Sequence, residues 1–182
     1  MTKKTGGCRK LTTGSKNYIA REKEYNDLMN SGKYSNGYFS REGGGYYVIE
    51  NSTATHKPEE IEAAKHLADN GYVVTLKDEA GQIKTPDGYI FTAGFEQSTP
   101  RGGSVNNFKN CLEHARDKPG ATAAVVYMKY ASHTRETVQK GIEKYSEKNS
   151  KRLNVFVITK NLNVFVITKN GTIHRWVTHN GK

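Results

Sequence analysis

The sequence predicts an α/β fold: a mixed β-sheet flanked by helices, carrying a polar N-terminal extension. Three observations support this. From Pro58 onward, segments of helical period alternate with short β-rich runs, which is the pattern of helices laid on a sheet. Ala121–Met128 (ATAAVVYM) is an almost unbroken apolar run, as expected of a strand covered on both faces. Gly and Pro punctuate the boundaries, at Asn70-Gly71, Pro86-Asp87-Gly88 and Pro119-Gly120.

Residues 1–44 are polar and read as a basic, loosely ordered or weakly helical extension, with 45–182 as the α/β domain. Within the extension, Tyr18–Met29 has few apolar anchors, and Gly43-Gly44-Gly45 reads as a flexible joint. Tyr46–Glu50 opens the domain as a strand. Pro58 suits a first helical position, and Ile61, Ala64, Leu67 and Ala68 recur on one face before Asn70-Gly71 ends that helix. Tyr72–Leu76 is a strand, followed by a polar turn around Gly81. Pro86–Phe91 and Phe95–Ser98 read as a hairpin with a bulge at Gly94. Val105, Phe108, Leu112 and Ala115 line one face of the next helix, and Val138, Ile142 and Tyr145 line the last. At the C-terminus, LNVFVITKN occurs twice without a change, as Leu153–Asn161 and Leu162–Asn170. The second copy runs into Asn170-Gly171, a hairpin signal, and then Thr172–Val177, so one copy looks surplus.

A chain of 182 residues buries enough surface, roughly 70%, to fold without staples. Cys8 and Cys111 are too few and too far apart for a disulfide framework or a zinc site, and read as free thiols in a reducing compartment. No apolar run approaches the roughly 20 residues of a membrane span, and no secretory signal is recognisable. The net charge of +10 is unevenly placed. Residues 1–44 carry nine Lys and Arg against four Asp and Glu, and 148–182 carry seven against none; the stretch between is slightly acidic. Basic flanks around an acidic middle suit a polyanion partner, with phosphates on the flanks and carboxylates kept for chemistry. Solubility alone would also account for lysine-rich ends.

The acidic middle offers one constellation. Asp87 opens a strand, Glu96 lies on its hairpin partner, and Glu60 sits in the first turn of the preceding helix, on the side bordering the core. Three carboxylates from such positions can converge on a divalent ion (Mg²⁺, Mn²⁺ or Zn²⁺) that activates water. Read by itself, Pro-Asp-Gly is equally an ordinary turn. No glycine-rich loop opens a helix, which leaves no nucleotide-phosphate fingerprint.

The stretch Glu59–Ala68, then Gly71–Leu76, Lys84–Asp87 and Phe95-Glu96 resembles the C-terminal tRNase domain of CdiA-type contact-dependent growth inhibition toxins, over about His56 to Met128. The resemblance implies a restriction-endonuclease-like core of the PD-(D/E)xK type. It also implies Asp87 and Glu96 as metal ligands, Glu60 as the acidic residue of the first helix, an RNA substrate of the tRNA class and an immunity-protein partner. The site of action would then be the cytoplasm, reached by delivery into a target cell where the chain is a toxin. One departure stands out: the pattern places a lysine two residues after the glutamate, where this sequence has Ser98. Lys84, Lys109 or Arg101 are candidates to supply that charge and to bind nucleic acid. Two other readings stay open. One is a non-catalytic nucleic-acid-binding or phage-associated module on the same fold. The other is a metal-free RNase of the barnase–EndoU–colicin–RelE grouping, built on Ser98 and Thr99 with His56 or His66.

Overall fold

The computed structural model describes residues 10–51, 55–77 and 85–169, and the strand residues 173 and 174. Its elements in chain order are α1 (Lys16–Asn30), β1 (Tyr34–Phe39), β2 (Tyr46–Glu50), α2 (Pro58–Asp69), β3 (Val73–Leu76), β4 (Gly88–Ile90), β5 (Ala93–Ser98), α3 (Val105–Asp117), β6 (Ala121–Tyr127), α4 (Arg135–Lys148), β7 (Asn154–Ile158), β8 (Val164–Ile167) and β9 (Ile173–His174). All the strands join one mixed sheet in the order in which they occur in the chain. β2, β3, β5, β6 and β7 run parallel to one another; β1, β4 and β8 run against them.

Helix starts follow local chemistry. Ser15, Ser104 and Thr134 each accept a hydrogen bond from a backbone N–H three residues on, capping α1, α3 and α4. In α2 the fixed φ of Pro58 suits the first turn, and Glu60 reaches back to accept from the Lys57 N–H at 3.2 Å.

The core has two layers, one on each face of the sheet. α2 lays Ala63, Ala64 and Leu67 on the face that carries Val74, Ile90, Phe95, Ala123 and Val125. α3 and α4 cover the other face, where Phe108, Leu112, Val138 and Tyr145 meet Ala124, Val126, Val155 and Val157. β6 is therefore buried on both sides, as its apolar run predicts. The steps from β2 to β3 and from β5 to β6 go the same way across the sheet between parallel neighbours. Helices on opposite faces thus give these two crossovers opposite hands, one of them against the strong right-handed preference. This arrangement decides which side chains can meet in the site below.

The segment read as a loosely ordered or weakly helical extension supplies α1, over its weakly helical stretch, and also β1, which pairs with β2. Gly43-Gly44-Gly45 is packed rather than hinged: a Cβ on Gly43 would lie 2.3 Å from the Asp69 carbonyl oxygen, and one on Gly45 would lie 2.4 Å from that of Ala68. Both copies of LNVFVITKN form strands. Leu153–Asn161 supplies β7 and Leu162–Asn170 supplies β8, and the two pair antiparallel from Val155↔Ile167 to Ile158↔Val164. The expected hairpin bulge is absent: β4 and β5 pair without a break through Gly94, and the register shift lies instead in the β5–β6 pairing, where Thr122 of β6 is the extra residue. A Cβ on Gly94 would lie 2.5 Å from the Gly120 carbonyl oxygen. The turn around Gly81 and the Asn170-Gly171 hairpin signal lie outside the described residues.

Candidate active site at the Asp87–Glu96 strand pair

β4 and β5 form a tight hairpin in which Gly88 pairs with Phe95. One step further out, Asp87 stands opposite Glu96. Phe95 points to the α2 side, so side-chain alternation turns Glu96 to the α3 side. Both carboxylates are nearly enclosed, with side chains 10% and 12% exposed. Asp87 is held by the Gln97 N–H, which donates to its Oδ2 at 2.6 Å.

A cation links the pair. Lys118 Nζ lies 3.4 Å from Asp87 Oδ1 and 3.1 Å from Glu96 Oε2, and it donates to the Thr85 carbonyl at 3.4 Å. The Lys118–Glu96 contact is an ion pair without hydrogen-bond alignment, and Glu96 Oε2 is a buried oxygen that accepts no hydrogen bond. Two buried carboxylates side by side would repel; the ammonium between them offsets that repulsion. The sequence reading looked to Lys84, Lys109 and Arg101 for this charge and missed Lys118. A local signal exists. Lys118 precedes Pro119 and leaves the helix with φ −81° and ψ 120°, which turns the chain off the α3 axis toward the sheet.

The other expected site residues fall elsewhere. Glu60 does not join Asp87 and Glu96. It projects from α2 on the opposite face of the sheet, where its Oε2 lies 3.1 Å from His56 Nδ1 and also caps Lys57. Among the described residues no cluster of three or more His, Cys, Asp or Glu is placed to hold a metal ion. The three-carboxylate site therefore reduces to two carboxylates and a lysine, because the two helices that carry Glu60 and Lys118 cover different faces. Ser98 lies on the α3 side against Cys111, whose thiol burial pushes up to about 11, which makes it a poor nucleophile. Thr99 accepts from the Gln97 side-chain amide at 2.8 Å, and His66 meets the Tyr127 hydroxyl at 3.5 Å. Ser98 and His56 thus face opposite sides of the sheet, whereas Thr99 lies on the α2 side with Glu60, which holds His56. Lys109 is paired with Glu113 at 2.8 Å along α3, and Arg101 sits over the Tyr130 ring, 5.3 Å from its centroid. Lys84 and Cys8 lie outside the described residues.

No protein-family model and no curated protein matches the sequence. Among solved structures, the fold matches a chain of the CdiA-CT/CdiI toxin and immunity complex from Burkholderia pseudomallei. The TM-score is 0.53 at 23% identity, over 66% of this chain and 98% of that one. The protein shares the fold of that chain. At that identity the likeness is one of fold, and the roles of Asp87, Glu96 and Lys118 rest on their own geometry. No helix among the described residues is long and apolar enough to cross a membrane.

Proposed function

We propose that the protein is a toxin-like, metal-dependent endonuclease that hydrolyses RNA, tRNA included, at the Asp87–Glu96–Lys118 cluster. The observation that carries this reading is Lys118 Nζ within ion-pair distance of both carboxylates on adjacent antiparallel strands. It restores, from the end of α3, the charge that Ser98 cannot supply.

The residues suit a hard divalent cation. Mg²⁺ and Mn²⁺ are commonly held by one or two carboxylates, with water and substrate phosphate completing the shell. Glu96 Oε2, buried and without a hydrogen bond, and Asp87 Oδ1 are oxygens of that kind. Zinc, which takes three or more protein ligands, suits this pair less well. When bound, such an ion would activate water and stabilise charge on a phosphodiester. The chain's own part is positional. The Gln97 N–H orients Asp87, Glu96 fixes the opposite side, and Lys118 places a positive charge where the pentavalent phosphate gains negative charge.

The basic composition supports a polyanionic substrate, and the CdiA-CT/CdiI neighbour supports a toxin role, an immunity-protein partner and action in a target-cell cytoplasm. Incubation with total RNA and with plasmid DNA, with and without EDTA, tests the reading. RNA should be cut, and EDTA, Asp87→Asn, Glu96→Gln and Lys118→Ala should each abolish cutting while circular dichroism still reports a folded chain. Intact RNA with the wild-type protein would favour the non-catalytic binding module, whereas full activity in Asp87→Asn would favour a metal-free RNase.

A further inference from the structure

At the carboxyl ends of β5 and β6, on the α2 side, lies a cavity of about 230 Å³ that the cluster around Lys118 does not use. Glu60, Gln97, Thr99, Arg101 and Tyr130 line it. It stands back to back with the candidate active site across one strand: the Gln97 N–H bonds Asp87, while the Gln97 side chain faces the cavity. Crevices beyond the carboxyl ends of parallel strands are the usual ligand positions in open α/β sheets.

The lining has two parts. The first is a flat platform. Tyr130 is 45% exposed, and its hydroxyl is tied to Glu59 Oε1 at 2.5 Å. The Arg101 guanidinium stacks on that ring and forms no ion pair among the described residues. A tethered ring and a planar cation together make a surface for another π system. The second part is a polar edge. The Glu60 carboxylate only accepts, Gln97 both donates and accepts, and the Thr99 hydroxyl lies 2.8 Å from Gln97 Nε2. Behind Glu60, the His56 side chain is 6% exposed, and its Nε2 is buried without a hydrogen-bond partner. Buried polar nitrogens are normally satisfied, and this one lies behind the cavity wall rather than in its lining, so it backs Glu60 without meeting a ligand itself.

We infer that this cavity is a nucleobase-binding subsite, taking a base with an exocyclic amine. The base stacks on the Tyr130–Arg101 platform and offers its amine to the Glu60 carboxylate. This rests on the RNA reading above and deepens it: phosphate chemistry occurs on one side of β5 and base recognition on the other. Uracil has a carbonyl where cytosine has its amine, and it would leave the carboxylate facing an acceptor.

Titration of the intact protein with AMP, GMP, CMP and UMP, followed by ¹H–¹⁵N NMR, tests the subsite without requiring cleavage. The expected result is saturable shifts of the Gln97 side-chain amide and of Arg101 with AMP, GMP and CMP, with UMP weaker. Tyr130→Ala should weaken binding roughly 5- to 100-fold, the range of one stacked base, while Tyr130→Phe keeps it. Glu60→Gln should narrow the gap between CMP and UMP. Equal affinity for all four nucleotides, shifts that miss Gln97 and Arg101, or unchanged binding in Tyr130→Ala would overturn the proposal. The two readings fail separately. Mononucleotide binding here by a protein that leaves RNA intact keeps the subsite and removes the nuclease. Cleavage of RNA with no mononucleotide at Gln97 does the reverse.

Discussion

Lys118 carries more of the site than any other single side chain, because it holds two enclosed carboxylates that belong to different strands. Its removal leaves two like charges facing each other with little water. Losing one partner of a well-buried pair costs about 3–5 kcal/mol, and the 22% exposure of Lys118 reduces this to about 2 kcal/mol. Lys118→Met should therefore lower the melting temperature by about 4–8 °C for a chain of this size. Added Mg²⁺ should raise the melting temperature of the wild type and raise that of Lys118→Met by more, since the ion then supplies charge beside Asp87 and Glu96 that the lysine no longer gives. Differential scanning fluorimetry with and without Mg²⁺ reads both effects; an unchanged melting temperature in the variant would mean that the ion pair contributes nothing. At the same scale, Asp87 was legible from Pro-Asp-Gly and Glu96 from its hairpin partner, because both depend on chain-local spacing. Lys118 was not: its place before Pro119 marks a helix end, but nothing local records that this end lies above β5.

The duplicated strand separates sequence from position at the scale of one element. Val157 and Val166 occupy the same place in identical nine-residue copies. Yet Val157, in β7, is 2% exposed between β6 and β8, whereas Val166, in β8, is only partly buried. Deleting two methyl groups loses about 0.8 kcal/mol each in transfer, plus a cavity term where the surroundings cannot collapse. Val157→Ala should then cost about 2 kcal/mol and Val166→Ala less than about 1 kcal/mol. Urea denaturation midpoints at a constant slope measure the difference; equal costs would show that the two copies exchange places in the sheet. The antiparallel pairing also explains why the repeat was ambiguous as a sequence. A side-chain pattern with period two fits a central or an outer strand equally well, so the copies compete until the helices of one face choose between them.

Charge is the property of the whole molecule that bears most directly on function. The excess of Lys and Arg lies mainly in residues 1–44 and 148–182, and α1 and β1 fix much of the first stretch to the sheet. A basic surface carried on a folded element meets phosphates at defined positions, so it should release a definite number of counterions. RNA affinity measured by fluorescence anisotropy across a salt series should fall linearly on log–log axes, by roughly 0.7 per phosphate contact on single strands. Substituting Lys10, Lys16 and Lys33 with Gln should flatten that slope. Affinity indifferent to salt would assign these lysines to solubility alone.

What the sequence determined by itself was local. It specified the alternation of helix and strand from Pro58, the caps and breaks, the doubly covered β6 and the Asp87–Glu96 hairpin. These follow from side-chain period, turn chemistry and neighbouring residues, which act over a few positions and need no partner from afar. Tertiary structure alone decided which face each helix covers. That choice put Glu60 over one side of the sheet and Lys118 over the other, split an expected three-carboxylate site, and opened a cavity beside Tyr130. The amphipathic face of α2 is apolar in the same way whichever side of the sheet it packs on. Only the burial of Phe95, Ala123 and Val125 against it, in competition with α3 and α4 on the far face, selects the side.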